Sequence, residues 1–418
     1  MLTAILRRRI PLLEHSPNFR NLWASTIFTA SEEVLHFTAL PLYVLNLTGS
    51  GAALAGMWAV STLAGLLAGP VAGLLADRFN RRRVWLGASV VVAVAFAFYP
   101  FARTVELLYV LIGLYSVGAT VARNAYLAML PDLVDDKSLV DANALISMNF
   151  NLMLTVMPLV AGGLLSIYGG PAVFALLLLV RLCALFWVSR IRYTQNVHPA
   201  AAHTDPGPRW LADLRTGFQY ARKHPEVRAL LITTAGSNMG MGGLIVLEAL
   251  LIKQVLGQGD AGFGLMLSIA GLGAITGSLL IKPSVARWSV TRVFGMAVLI
   301  TGLTFFPYAG ILWFPATLLI AYAQTATFVI GQVLTDTIVQ RTVPERLRGR
   351  VFGLVQIVRN TMMLLAVAIF GLLVDSVGVT PLLHAAGVPF ALAGVYALWA
   401  MRGPHSAAAT AAPQVTAE

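Results

Sequence analysis

The sequence predicts an all-α membrane protein of twelve transmembrane helices, arranged as two pseudo-symmetric six-helix bundles. Three observations predict it. Of the 418 residues, 58% are hydrophobic and 11% charged, with a mean hydropathy of +0.78, whereas soluble domains carry about 25% charged residues. Apolar stretches near the ~20 residues that cross a ~30 Å hydrocarbon core recur along the whole chain, without the short alternating segments of a membrane barrel. The longest interruption, Ile191 to about Val227, separates six such stretches from six more. The expected organisation is a bundle at 1–190, a linker at 191–227, a second bundle at 228–402 and a disordered tail at 403–418.

Spans are read at 21–47, 53–76, 84–102, 105–129, 143–167, 171–190, 228–255, 262–281, 290–311, 313–338, 352–375 and 380–401. The first carries "ASEEVLHF" at 30–37, which sets Glu32, Glu33 and His36 inside an apolar helix. Its charged start, "MLTAILRRRI", imitates a leader. The apolar run behind it is too long and holds two glutamates, so it is read as a retained helix. Span two ends in a basic loop, "GLLADRFNRRR" at 73–83, and span three follows at once. "LAMLPDLVDDKSLVDANAL" joins spans four and five, and span five holds "MPLVAGG" at 157–163. Proline and small residues suit a pliant, closely packed membrane helix. Span six holds Arg181 and Cys183. A lone cysteine can form neither an intrachain disulfide nor a cysteine metal site.

The linker begins "QNVHPAAAHTDPGP" and continues "RWLADLRTGFQYARKH". In its second part Trp210, Leu211, Leu214, Phe218 and Ala221 recur at helical spacing, with Arg215, Arg222 and Lys223 elsewhere. That pattern predicts an amphipathic helix on the inner leaflet. Span seven carries Asn238 and Glu248; span ten carries Gln324, Gln332 and Asp336; span eleven carries Gln356, Arg359 and Asn360. Span eight contains "GLGAITGS" at 271–278, which lacks the Lys-Ser/Thr of a phosphate-binding loop and suits close helix packing instead. His384 in span twelve is read as a packing residue.

The net charge of +11 raises the question of a nucleic-acid partner. Location answers it. Of the 29 Lys and Arg, Arg103 and Lys253 fall on one side, Arg181 and Arg359 lie inside spans, and all the others gather on the opposite side. This asymmetry orients a membrane protein with both termini in the cytoplasm, and no nucleic-acid partner is expected. No nucleophile–base constellation or nucleotide loop stands out, so neither an enzyme nor a cofactor or metal site is expected.

The two halves echo each other. "VQRTVPERLRGRVFGL" joins spans ten and eleven, so Pro131 and Pro344, each followed by an acidic residue, occupy corresponding joints. A parallel repeat of this kind places a cavity near the bilayer midplane. The 73–83 loop resembles the signature loop of the major facilitator superfamily: Gly73, Leu75, Ala76, Asp77, Arg78, Arg81 and Arg82 match, and Asn80 replaces the second glycine. Asn tolerates the left-handed backbone of such a turn. The resemblance implies a cytoplasmic gate of Gly73, Asp77, Arg78, Arg81, Arg82 and Arg350, with Asp77 meeting the positive end of helix eleven. "ALPLYVLNLTGS", "RTGFQYARKHPEVRALL" and "VPERLRGRVFGL" are similar to the twelve-helix drug:proton antiporters, in the subgroup of macrolide efflux and enterobactin exporter proteins. The fourth-helix arginine of many such antiporters has no counterpart between Arg103 and Arg123.

At ~100° per residue, Ser25, Thr29, Glu32 and His36 fall on one stripe of span one. The resemblance places that helix on the cavity, so the stripe is expected to face water, with Glu32 exchanging a proton for substrate and His36 assisting. Asn238, Glu248 and Gln324 are the corresponding candidates in the second half. Glu33 points ~100° away from Glu32 and is expected to pair with Arg181. Asp336 and Arg359 lie at similar depth, ~12 Å before Pro344 and ~15 Å beyond Gly349, and are expected to pair as well. The resemblance implies a monomeric, proton-driven exporter of amphipathic or cationic small molecules in a bacterial inner membrane. Proton-coupled uptake, export of one metabolite or siderophore, and a non-transporting sensor are the other readings.

Overall fold

The computed structural model describes residues 11–135, 138–193 and 209–401. The predicted tail at 403–418 and the first part of the linker lie outside the described residues. So do the side chains of 209–214, and with them Trp210, Leu211 and Leu214 of the predicted stripe. Among the described residues the regular structure is entirely helical: α1 (Pro11–His15), α2 (Pro17–Thr48), α3 (Gly51–Arg78), α4 (Arg81–Phe98), α5 (Val105–Leu133), α6 (Leu139–Tyr168), α7 (Gly170–Ser189), α8 (Arg209–Lys223), α9 (Pro225–Leu250), α10 (Gly259–Arg287), α11 (Val290–Gly310), α12 (Phe314–Thr342), α13 (Glu345–Val377) and α14 (Val379–Ala400).

Eleven of these, α3–α7 and α9–α14, are long and apolar enough to cross a membrane. At 32 residues α2 is long enough too, but Glu32, Glu33 and His36 dilute its apolar density. Helices begin where the sequence offers a cap. Ser16, Ser50, Asn80, Thr104 and Ser289 each accept from a backbone N–H three residues on, satisfying one of the donors a helix start leaves open. Most helices outrun the predicted spans. A 32-residue helix is ~48 Å long against a ~30 Å core, so its ends stand among headgroups and water. Hence Pro131, predicted in a connecting loop, lies inside α5, and Pro344 caps α13.

The chain divides into two units. One comprises Met1–Ala202 with Gln258–Ser268; the other comprises His203–Gly257 with Ile269–Glu418. In the first, α2 packs on α6 and α7, and α5 packs on α3 and α4. Its core at the basic-loop end gathers Phe19, Leu22, Trp23, Trp85, Met129 and Val188. The opening turns of α10 join this unit through a close backbone approach. A Cβ on Gly162 would meet Asp260 O at 2.5 Å, and one on Gly264 would run into Pro158 O. Asn46 adds a hydrogen bond to Asp260 at 3.0 Å.

In the second unit α14 packs on α9 and α11, and α9 also packs on α13. The linker helix α8 belongs here, lying on the start of α13, with the Tyr220 hydroxyl donating to Thr342 O at 3.3 Å. Ala221 is buried and Phe218 exposed. Outward side chains such as Leu67, Leu279 and Leu372 remain uncovered. That is what a lipid-facing perimeter requires, because apolar burial between helices gains little over contact with lipid.

Candidate functional site

Helix α2 starts at the Ser16 cap and stops at Gly49, whose φ of 65° supplies the left-handed turn that ends it. Between them Glu32 and Glu33 project on different faces, and the first unit treats the two carboxylates in opposite ways. Glu32 turns inward and is 1% exposed. Its Oε1 accepts from the guanidinium of Arg181 on α7, and Arg181 also donates to Ser89 Oγ on α4 at 3.3 Å. Among the described residues, Glu32 Oε2 and Arg181 Nε are buried with no hydrogen-bond partner.

This corrects two expectations. Arg181 pairs with Glu32 rather than Glu33, and Glu32 is a dry contact to a permanent cation rather than a wet, exchanging group. Helical spacing fixes the angle between adjacent side chains; the packing of α7 decides which of them is covered.

Of the rest of the stripe, His36 and Ser25 are buried and Thr29 is half-buried. His36 Nε2 lies 2.9 Å from the Tyr99 hydroxyl, and its ring centroid is 3.8 Å from that of Tyr115. Ser25 is fully buried and donates to Leu22 O at 2.6 Å. Thr29 donates to Ser25 O at 2.9 Å. Three members of the expected water-lining stripe, Ser25, Glu32 and His36, are thus interior to this unit.

Glu33 is exposed. The cations whose fields reach it are Arg123 on α5 and Arg181, and Tyr126, one turn after Arg123, lies in the field of both Arg123 and Glu33. Among the described residues Glu33 makes no direct ion pair. A charge inside a span is costly against lipid and is tolerated facing water or a partner. Glu33 and Arg123 are both exposed, and the charge of Arg123 reaches Glu33. Arg123 is the residue that sequence reasoning missed. It falls within the span predicted at 105–129.

The loop candidates are fastened within the first unit. Arg81 donates to Ala128 O and Asp132 Oδ2, both at 2.8 Å, and Arg82 donates to Val188 O at 3.3 Å and Ser189 O at 2.5 Å. Tyr193 also donates to Asp132. Burial, then that hydrogen bond, pushes Tyr193 up to about 12, so it stays a donor at any physiological pH. Gly73 is half-buried on α3, and Asp77 and Arg78 are exposed at its end. Arg350, exposed on α13, belongs to the second unit.

In the second unit, Asn238 is buried and donates to Thr234 O at 2.8 Å. It lines a void of about 20 Å³ with Thr301, Gln332, Thr335 and Arg359, which is room for about one water. Among the described residues, Arg359 Nε and Gln324 Nε2 are buried without hydrogen-bond partners. Arg359 acts on Asp336 through space, but the expected direct ion pair between them is not formed among the described residues. Glu248 on α9 accepts from Tyr308 on α11 at 3.0 Å, just before a π-helical turn at Leu251–Val255. Among the described residues no cluster of three His, Cys, Asp or Glu side chains is suited to a metal ion.

Comparison with known proteins sets this geometry in context. A family model described as transmembrane secretion effector matches residues 11–416. The chain is 26% identical to the multidrug efflux pump Tap of Mycolicibacterium fortuitum, over 87% of this chain and 91% of that protein. It is 23% identical to a Na(+), Li(+), K(+)/H(+) antiporter of Planococcus maritimus, over 76% and 80%. Among solved structures, that of the nucleoside transporter NupG (D323A mutant) superposes with a TM-score of 0.70 at 13% identity, covering 94% of this chain and all of that one.

Proposed function

The chain belongs to the transmembrane secretion effector family of the major facilitator superfamily, and from that membership we propose a proton-coupled exporter of amphipathic or cationic small molecules. It is a multi-pass membrane transporter, not an enzyme. Two relatives support the finer reading, one named as a multidrug efflux pump and one as a cation/H⁺ antiporter. The observation that carries it is that Glu33 on α2 is exposed whereas Glu32 is buried against Arg181.

Glu33 is the exchanging group. It is exposed, and the charge of Arg123 reaches it, which makes Arg123 a built-in competitor. With Glu33 ionised, its charge is shared between Arg123 and a cationic cargo. A proton arriving on Glu33 removes the anion that both cations use, so the cargo leaves. Alternating access of this site to the two membrane faces then converts a proton gradient into export. Both termini are cytoplasmic in this reading, because nearly all loop cations gather on their side. The 73–83 loop is the gate on that side, with Asp77 and Arg78 both exposed. Glu32 and Arg181 brace the bundle behind the site.

The test is flux of a fluorescent lipophilic cation in inverted membrane vesicles with an imposed pH gradient. Glu33→Gln is expected to cut gradient-driven uptake by roughly 10²-fold or more, the lower end of the 10²–10⁴-fold scale of losing a proton-transfer group. Amounts in the membrane stay at wild-type level. Unimpaired uptake by that variant removes Glu33 from the mechanism. Uptake driven in right-side-out vesicles instead points to import.

A further inference from the structure

At the end of the first unit that carries its basic loop, the start of α2 and the end of α7 enclose a cavity of about 600 Å³. Its wall carries three arginines, Arg20, Arg190 and Arg192, beside Phe186 and Trp187. Among the described residues none of the three makes an ion pair. They are not needed to finish the helix either. The last carbonyls of α7, on Val188 and Ser189, are taken by Arg82. Asn18 Nδ2 donates to Arg192 O at 2.8 Å, its Oδ1 accepts from Arg192 N–H at 2.9 Å, and Asn21 holds Arg190 O at 3.1 Å. Other groups thus fasten the backbone, and three positive charges are left around one hollow. Arg190 lies over the Phe186 ring, 4.9 Å from its centroid. Like charges so placed repel unless an anion joins them.

An apolar track leaves this hollow along α7. Leu179, Leu182 and Phe186, spaced three and four residues apart on one helix face, are 57%, 50% and 50% exposed. Guanidinium groups match phosphate oxygens two at a time. Tryptophan settles at the headgroup level of a bilayer, and basic pockets between membrane helices suit anionic headgroups. A free phosphate ion would use the arginines and leave the track empty. A phospholipid fills both.

We infer that this cavity binds the phosphate headgroup of an anionic phospholipid, with an acyl chain laid along Leu179, Leu182 and Phe186. The inference is independent of the proton-exchange site, since it uses none of its residues. It is tested on the full chain in nanodiscs containing acyl-brominated phosphatidylglycerol or acyl-brominated phosphatidylcholine. Quenching of Trp187 is isolated by difference from Trp187→Phe. Brominated phosphatidylglycerol is expected to quench Trp187 severalfold more than phosphatidylcholine, and Arg190→Gln with Arg192→Gln abolishes the difference.

Both arginines are exposed, so the fold tolerates their loss, and Arg190→Lys with Arg192→Lys keeps at least half of the preference. In detergent, added phosphatidylglycerol raises the melting temperature of the wild type but not of the glutamine pair, and inorganic phosphate at equal concentration does neither. Equal quenching by the two lipids overturns the inference. So does an undiminished lipid shift in the glutamine pair, or a shift reproduced by inorganic phosphate alone.

Discussion

Glu32 and Arg181 are buried at 1% and 3% exposure, and each keeps one orphaned atom, Oε2 and Nε. Such a pair is a liability if halved, because the surviving charge is buried without compensation at a cost of about 3–5 kcal/mol. Glu32→Gln should therefore lower the melting temperature and the amount of folded protein in detergent, measured by fluorescence-detected size exclusion. Replacing both partners with leucine should recover most of that loss, since an apolar pair of similar volume is often neutral or better. If instead Glu32→Gln folds like the wild type and loses only its response to pH, Glu32 is an exchanging group after all. Glu33→Gln is the counterpart, expected to spare the fold and abolish coupling. Adjacent residues with opposite phenotypes are the consequence of one helix face being covered by α7 and the other left open.

At the level of elements, α6 and the opening turns of α10 touch through glycine. Gly162 has no room for a side chain, with Asp260 O at 2.5 Å from the Cβ it lacks, whereas its neighbour Gly163 has nothing within 4 Å. Gly162→Val should push these helices apart and depress both melting temperature and transport. Gly163→Ala should change stability by no more than about 1 kcal/mol, and in the favourable direction, because alanine is the better helix former. Equal effects at the two positions would show that small-residue composition, not contact, is what α6 requires. The same contact explains why Gln258–Ser268 groups with the first unit although it opens a helix of the second half.

For the molecule as a transporter, charge balance decides what drives it. One proton exchanged for one monovalent cation at Glu33 moves no net charge, so the driving force is the pH gradient alone, about 1.4 kcal/mol or tenfold accumulation per pH unit. A membrane potential, worth about 2.3 kcal/mol per charge per 100 mV, should leave cationic export unchanged. A neutral cargo exchanged for the same proton carries current and should respond to it. Proteoliposomes with a valinomycin-imposed potassium potential separate the two cases. Strong potential-driven flux of a monovalent cation would mean that more than one proton, and hence a second acid, takes part. Glu248, bonded to Tyr308, is the acid of the second unit to neutralise next.

The sequence by itself determined the class of this protein, its spans, its family loop and the short list of residues worth inspecting. Those follow from composition, helical period and local motifs, which are properties of contiguous residues. Glu32, Glu33, Arg181 and Arg359 were all legible as unusual because a charge inside an apolar helix is rare for energetic reasons. Which carboxylate meets Arg181, whether His36 is buried, and that the charge of Arg123 reaches the open glutamate were decided only by tertiary structure. Neighbours on one helix differ by a rotation of ~100°, and a helix packed against that one covers one of the two faces. That choice is made by contacts between residues far apart in the chain, which no local pattern records.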